Sequence, residues 1–157
     1  DRYTFAELCK EAEETDYITS RIDVNNKCFL APENMTEAIK SYCNNNDLII
    51  PDTAGEIAAV VYKSLADSYA DTVMQIEKNL DITYDAIYVI GGGANAGYLN
   101  QLTADSTGKT VVAGPAEATA IGNIMAQMIA DSVFKNLKEA RACVRDSFDI
   151  KRFEQKR

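Results

Sequence analysis

The sequence predicts a helix-rich α/β fold with one parallel β-α-β unit and an incomplete sheet. Two short segments of strand character, 86–90 and 110–113, each run into glycine, and a helical pattern lies between them. A helix that connects two neighbouring strands makes those strands parallel. Apolar parallel strands need neighbours in the sheet and cover on both faces. Two strands cannot supply these, so we expect the sheet to continue in residues outside this chain or in a partner.

The first fifty residues predict two helices separated by an irregular segment. Thr4 and Glu7 form a capping box, which predicts a helix to about Glu14. The polar residues that follow, 15–31, predict irregular structure with a short extended piece at 21–24. Proline suits the first position of a helix, so Pro32 predicts that the next helix begins there and continues to about Cys43.

A long helix is predicted next. Thr53 and Glu56 make a second capping box, and apolar residues recur behind it every three or four positions as far as Leu80. The pattern predicts a helix of about 27 residues. It lacks heptads with charged flanks, which favours a helix packed across a sheet over a coiled coil.

Strands and helices alternate in the rest of the chain. The predicted elements are a strand at 86–90, a helix around 98–107 that stops at Gly108, a strand at 110–113, helices at 117–130 and 137–144, and a charged tail at 151–157. Gly122 lies inside the predicted helix at 117–130, where glycine lowers helix stability by about 1 kcal/mol relative to alanine. We therefore predict that Gly122 permits the close approach of another backbone.

Composition limits the possible functions. The chain has 157 residues, enough for one domain with a core, and its net charge of −8 argues against a nucleic-acid surface. No apolar run approaches the roughly 20 residues of a membrane span, and no signal peptide opens the sequence. These features predict a cytoplasmic protein without membrane or nucleic-acid partners. The first residue is Asp1, and we expect the chain to be part of a longer protein.

Histidine is absent and the cysteines are widely spaced. Without histidine the chain cannot form a Ser-His-Asp triad, a Cys-His pair or most catalytic zinc sites. The four cysteines contain no CxxC pair, so free thiols are expected, with a disulfide between Cys28 and Cys43 left open. No residue is predicted to bind a metal, and any chemistry has to come from carboxylates, backbone amides or groups elsewhere in the protein.

Three consecutive glycines at the end of the first strand are the strongest functional signal. Gly91, Gly92 and Gly93 can adopt positive φ and let a ligand approach the bare backbone. The amides at the start of the following helix have no intrahelical partner and favour a phosphate. These glycines are therefore the predicted nucleotide-binding residues. A tight strand-to-helix turn without a ligand is the plainer alternative.

Two known glycine motifs fit this turn less well. Residues 91–96 match the GxGxxA pattern of dinucleotide-binding folds, with Glu117 as the ribose-binding carboxylate. That motif normally opens a domain, whereas here it follows a long helix, and residues 114–115 separate Glu117 from its strand. A P-loop is excluded because no Gly-Lys-Ser/Thr follows the glycines, and Lys109 lies beyond the next helix.

Residues 87–95 followed by 99–105 resemble the adenosine-side motif of the FGGY carbohydrate kinases. Residues 112–123 resemble one type of kinase within that family, and residues 29–35 add to the match. The resemblance covers nearly the whole chain, and 86–123 is its specific part. Within the family it is strongest to kinases of L-rhamnulose. It implies an actin-like ATPase (ribonuclease H-like) domain, of which this chain is the C-terminal part.

The resemblance also implies a reaction and a division of labour. The complete kinase would transfer the γ-phosphoryl of ATP to the 1-hydroxyl of L-rhamnulose, with magnesium held mostly outside this chain. Gly92 is the first choice for a backbone contact to the nucleotide, and Asn95 either adds a side-chain hydrogen bond or satisfies its own backbone. The sugar would be bound mainly by the missing N-terminal region.

The resemblance further implies that the catalytic aspartate lies upstream, so no catalytic residue is assigned and the chain alone is expected to be inactive. The expected layout is a helical and loop region over 1–50, the long helix with the nucleotide-side unit over 51–150, and the tail over 151–157. A non-catalytic actin-like module that binds a nucleotide or a packing partner is the alternative from a different class of protein.

Overall fold

The computed structural model describes residues 3–15 and 17–156, and it confirms a helix-rich α/β fold. Within these residues the α-helices are α1 (Phe5–Glu14), α2 (Met35–Asn45), α3 (Ala54–Leu80), α4 (Gly97–Thr107), α5 (Ala118–Ala130) and α6 (Leu137–Ser147). The strands are β1 (Ala86–Val89), β2 (Thr110–Ala113) and β3 (Lys151–Phe153), and short 3₁₀ helices lie at Lys27–Phe29 and Gly91–Asn95. The described segments contain no helix long and apolar enough to cross a membrane.

The helix starts show which capping signals decided the local structure. Both predicted capping boxes are present, at Thr4 and at Thr53. The prediction that α2 begins at Pro32 is wrong, because Asn34 caps the helix and its side chain accepts a hydrogen bond from the Glu37 amide. An Asn side chain satisfies an amide that the helix leaves unpaired, whereas proline only supplies a suitable φ. The predicted extended piece at 21–24 does not pair with any strand among the described residues.

The sheet has the order β1-β2-β3. β1 and β2 are parallel, with Ala86 opposite Thr110, as the sequence predicts. The prediction of a charged tail over 151–157 is wrong in part, because β3 pairs antiparallel with β2 and places Arg152 opposite Val112. Three residues with two exposed cations carry too little alternation to reveal a strand, and backbone hydrogen bonds decide the pairing. Arg157 lies outside the described residues.

The core forms along α3. One cluster joins α3 to α2 and to the loop before it, and consists of Ile18, Ile22, Ile39, Cys43 and Val60. A second cluster joins α3 to α1 through Ala12, Ala58 and Ala59, with Leu8, Tyr62 and Tyr98 packed against it. The small residues in the first half of α3 let α1 lie close, as at Gly55, where an added Cβ would lie 2.8 Å from the Cβ of Glu11.

An ion pair fixes the far end of α3 to the sheet. Glu77 lies 2.7 Å from the Lys109 ammonium and accepts a hydrogen bond from the Tyr84 amide at 2.7 Å. Lys109 also donates to the Tyr84 carbonyl at 2.8 Å. These hydrogen bonds, the one from Lys109 first, lower the pKa of the Glu77 carboxyl from its usual value. Lys109 therefore ties α3 to the beginnings of β1 and β2.

Large apolar side chains are exposed at several places in the described chain. One of them, here called the β1 edge, is where β1 lies beside the second half of α3, and its exposed members are Tyr69, Tyr88 and Ile90. Another is α5, in which Ile121 is the one buried residue. The predicted close approach at Gly122 does not occur within the described residues, since an added Cβ there would meet no atom within 4 Å.

The contact at Gly55 yields a stability prediction. Gly55→Ala places a methyl group against the backbone of Glu11, 3.1 Å away, so α1 and α3 have to separate. We expect the free energy of unfolding to fall by about 1–3 kcal/mol, as in other overpacked cores. Urea denaturation followed by circular dichroism measures it.

Gly122→Ala is the matched control, because the new methyl group meets no atom and alanine favours a helix. It should leave stability unchanged or raise it by about 0.5–1 kcal/mol. Equal stability changes in the two variants would contradict the close packing of α1 on α3.

Candidate functional site

The turn between β1 and α4 carries the predicted binding residues. β1 ends at Val89, one residue earlier than predicted, and Ile90 follows in extended conformation. Gly91, Gly92 and Gly93 begin the 3₁₀ helix Gly91–Asn95, and α4 starts at Gly97, close to the predicted start at 98. The φ of Gly91 is +75°, a conformation that requires glycine here.

The loop after β2 holds the beginning of this turn. The Gly114 amide donates to the Val89 carbonyl at 2.9 Å, and the Gly91 amide donates to the Pro115 carbonyl at 3.4 Å. Gly114 itself has φ +119°, and an added Cβ would lie 3.0 Å from the Asp149 carbonyl oxygen. The carboxyl ends of β1 and β2 are thereby fixed side by side.

The middle of the turn is open. Gly92 and Gly93 are exposed, and an added Cβ at Gly92 would meet no atom within 4 Å. The 3₁₀ pattern gives the first two amides of the helix no acceptor within it. Gly91 finds its acceptor in Pro115, which leaves the Gly92 amide, within the described part of the chain, available to a ligand.

Asn95 borders a small depression beside the turn. The depression has a volume of about 180 Å³ and is lined in part by Asn95, Pro115, Phe148, Asp149 and Lys151. Within the described residues the Asn95 side chain makes no hydrogen bond, so the alternative in which it satisfies its own backbone is not realised. Its amide is available to a ligand.

The sequence analysis missed Asn100. Its side chain is 3% exposed, and its amide nitrogen donates to the carbonyls of Gly93 at 3.2 Å and Ala94 at 3.3 Å. A signal was present: Asn100 shares the buried face of α4 with Thr103 and Ala104, where an apolar residue is expected. A buried amide needs partners, and the glycine turn supplies them.

The other groups considered from the sequence do not join the turn. Glu117 is exposed, precedes α5 as its N-cap without a side-chain hydrogen bond, and does not line the depression. All four cysteines are free thiols, so Cys28 and Cys43 are not bridged, and burial raises the pKa of the Cys43 thiol. Residues 3–15 and 17–156 contain no group of three carboxylate or cysteine side chains that could hold a metal ion.

The parallel β-α-β unit and its open glycine turn define an α/β domain, and the family match that follows identifies it as the actin-like ATPase fold. Residues 3–130 match the family model "FGGY family of carbohydrate kinases, C-terminal domain". The chain therefore belongs to the FGGY carbohydrate kinase family, as the resemblance of the glycine turn predicted.

Several rhamnulokinases are similar to this chain along nearly its whole length. The chain is 47% identical over 154 residues to the rhamnulokinase of Bacillus subtilis (strain 168), and the alignment covers 98% of this chain and 32% of that protein. It is 45% identical over 150 residues to the rhamnulokinase of Oceanobacillus iheyensis, with 96% of this chain and 32% of that protein aligned. It is 43% identical over 153 residues to the rhamnulokinase of Halalkalibacterium halodurans, with 98% of this chain and 32% of that protein aligned. The chain thus spans about a third of the length of these relatives.

Proposed function

We propose that this chain is the C-terminal part of the second actin-like domain of an ATP-dependent L-rhamnulose kinase, and that it forms the adenosine side of the ATP cleft. The observation that carries the proposal is the similarity to rhamnulokinases along nearly the whole chain, at 43–47% identity for the three relatives above. In the proposed reaction the γ-phosphoryl of ATP passes to the 1-hydroxyl of the sugar.

The open middle of the turn supports a direct contact with the nucleotide. Gly92 would donate its amide to an oxygen of the nucleotide and let the ligand lie against backbone, because no side chain intervenes. Gly91 and Gly93 flank this contact, and Asn95 would add a side-chain hydrogen bond. Bound magnesium supplies charge neutralisation at the phosphates. The described residues do not fit a magnesium site, and we assign none of them to the metal.

The exposed apolar surfaces support an incomplete domain. Tyr88 is 73% and Ile90 60% exposed at the β1 edge, although a parallel strand of this composition is normally buried. We propose that the sheet continues there with another part of the same protein. The proposed layout keeps 1–50 as the helical and loop region, 51–150 as the nucleotide-side unit and 151–157 as the terminal segment, which now includes β3. A cytoplasmic location also stays a prediction from the sequence.

A non-catalytic actin-like module is the second candidate. It stays open because the fold alone does not distinguish a kinase from a binding module. The kinase requires a carboxylate outside this chain that faces the cleft and acts as the general base, whereas the module does not require one.

Gly92→Val tests the nucleotide contact. The side chain has room in the folded chain, so the structure should persist, but it occupies the space where the nucleotide approaches. We expect the Kd for magnesium-ADP to rise by about tenfold or more, which corresponds to about 1.4 kcal/mol. Isothermal titration calorimetry measures the Kd.

Gly122→Val is the control, because it adds the same side chain at another exposed glycine with no atom within 4 Å. Its Kd should equal that of the unchanged chain. An unchanged Kd in Gly92→Val would remove Gly92 from the binding site.

The proposed division of labour predicts that this chain alone does not phosphorylate L-rhamnulose. Phosphoryl transfer needs a base for the sugar hydroxyl and a phosphate cradle, and the proposal places both outside residues 1–157. A coupled assay for ADP release, with the Bacillus subtilis relative as the positive control, measures the activity. Phosphorylation of L-rhamnulose by the chain alone would overturn this part of the proposal.

A further inference from the structure

We propose that Asn100 is a positioning residue for the nucleotide, acting through the glycine turn. The inference rests on the proposed function, since it concerns the same turn. Asn100 is buried and does not line the depression beside Asn95. Its side chain donates hydrogen bonds to two carbonyls of the turn.

The geometry of the contact suits an amide. One nitrogen carries two N–H groups, and it lies 3.2 Å from the Gly93 carbonyl oxygen and 3.3 Å from that of Ala94. The hydrogen bond to the Ala94 carbonyl is buried, whereas the one to the carbonyl of Gly93, an exposed residue, is part-buried. The buried bond in particular is costly to lose, because the unsatisfied groups stay buried.

Asn100 is itself held in a rigid element. Its backbone amide donates to the Ala96 carbonyl at 2.9 Å within the first turn of α4. Its neighbours on the same helix face, Thr103 and Ala104, are buried, and α4 packs along α3. The position of the Asn100 amide is therefore fixed by the packing of α4, and the turn is fixed to that amide.

The turn is consequently held at both ends and free in the middle. The Gly91 amide donates a hydrogen bond to the Pro115 carbonyl, and the Gly93 and Ala94 carbonyls accept hydrogen bonds from Asn100. Gly92 lies exposed between these two attachments. Three glycines have many accessible backbone conformations, of which one presents the Gly92 amide outward. A nucleotide binds only that conformation, so its apparent affinity falls in proportion to the population of the competent turn.

The test compares Asn100→Leu with Gln101→Glu in this chain. Asn100→Leu keeps a side chain of similar size but removes the N–H donors without adding charge. The control, Gln101→Glu, perturbs α4 away from the turn: it removes the amide that donates to Asp105 at 3.0 Å and to the Glu154 carbonyl at 2.9 Å, and it places a carboxylate that repels Asp105. Urea denaturation of both variants identifies any general loss of stability.

Two readouts separate positioning from a general structural role. The ¹⁵N order parameters of Gly91–Gly93 should fall from about 0.85 towards 0.6 in Asn100→Leu and stay unchanged in Gln101→Glu. The Kd for magnesium-ADP should rise about tenfold in Asn100→Leu and less than about twofold in the control. Unchanged order parameters in Asn100→Leu, or equal effects of both variants, would overturn the proposal.

Failure of the proposed function would look different. If the unchanged chain does not bind magnesium-ADP, the nucleotide assignment of the turn fails, and with it the positioning role for the nucleotide. If the unchanged chain binds magnesium-ADP and Asn100→Leu binds equally well, the assignment stands and the positioning role of Asn100 is wrong.

Discussion

The close packing of α1 and α4 on α3 is the constraint on which the rest of the structure depends. Gly55 and the alanines of the first half of α3 have no bulky side chains, so the neighbouring helices can lie against its backbone. The same helix holds the irregular segment before α2, because Ser64 accepts a hydrogen bond from the Ile22 amide at 3.0 Å and Lys63 donates to the Ile18 carbonyl at 2.9 Å. A change in the position of α3 would displace every element that contacts it.

The glycine turn is connected to this packing through α4. The rings of Tyr62 on α3 and Tyr98 on α4 meet edge to face with centroids 6.1 Å apart, two residues before Asn100. Asn100 then holds the end of the turn, and the loop after β2 holds its beginning. The open backbone at Gly92 is therefore held by a rigid support. This agrees with a role in binding a ligand, because a flexible turn would have to be ordered on binding and the affinity would fall.

Local signals predicted the regular elements, and contacts between distant residues decided the rest. The capping box at Thr53 and the apolar spacing up to Leu80 predicted α3 correctly, because both act within a few turns of one helix. β3 depends on pairing with β2, some forty residues earlier, and nothing within Lys151–Phe153 signals it. The nucleotide contacts of Gly91, Gly92, Gly93 and Asn95 stay predictions from the sequence. Asn100 was not among them, because its partners become apparent only when the turn folds back on α4.

The measurement that tests the account most directly is an NMR titration of this chain that follows the amides of Gly91, Gly92 and Gly93. Magnesium-ADP and NAD would be added to separate samples of ¹⁵N-labelled chain. The account predicts that these amides shift with magnesium-ADP and not with NAD, because the proposed function makes the turn the adenosine side of a kinase cleft. Shifts with NAD alone, or no shift with either ligand in a well-dispersed spectrum, would contradict the account.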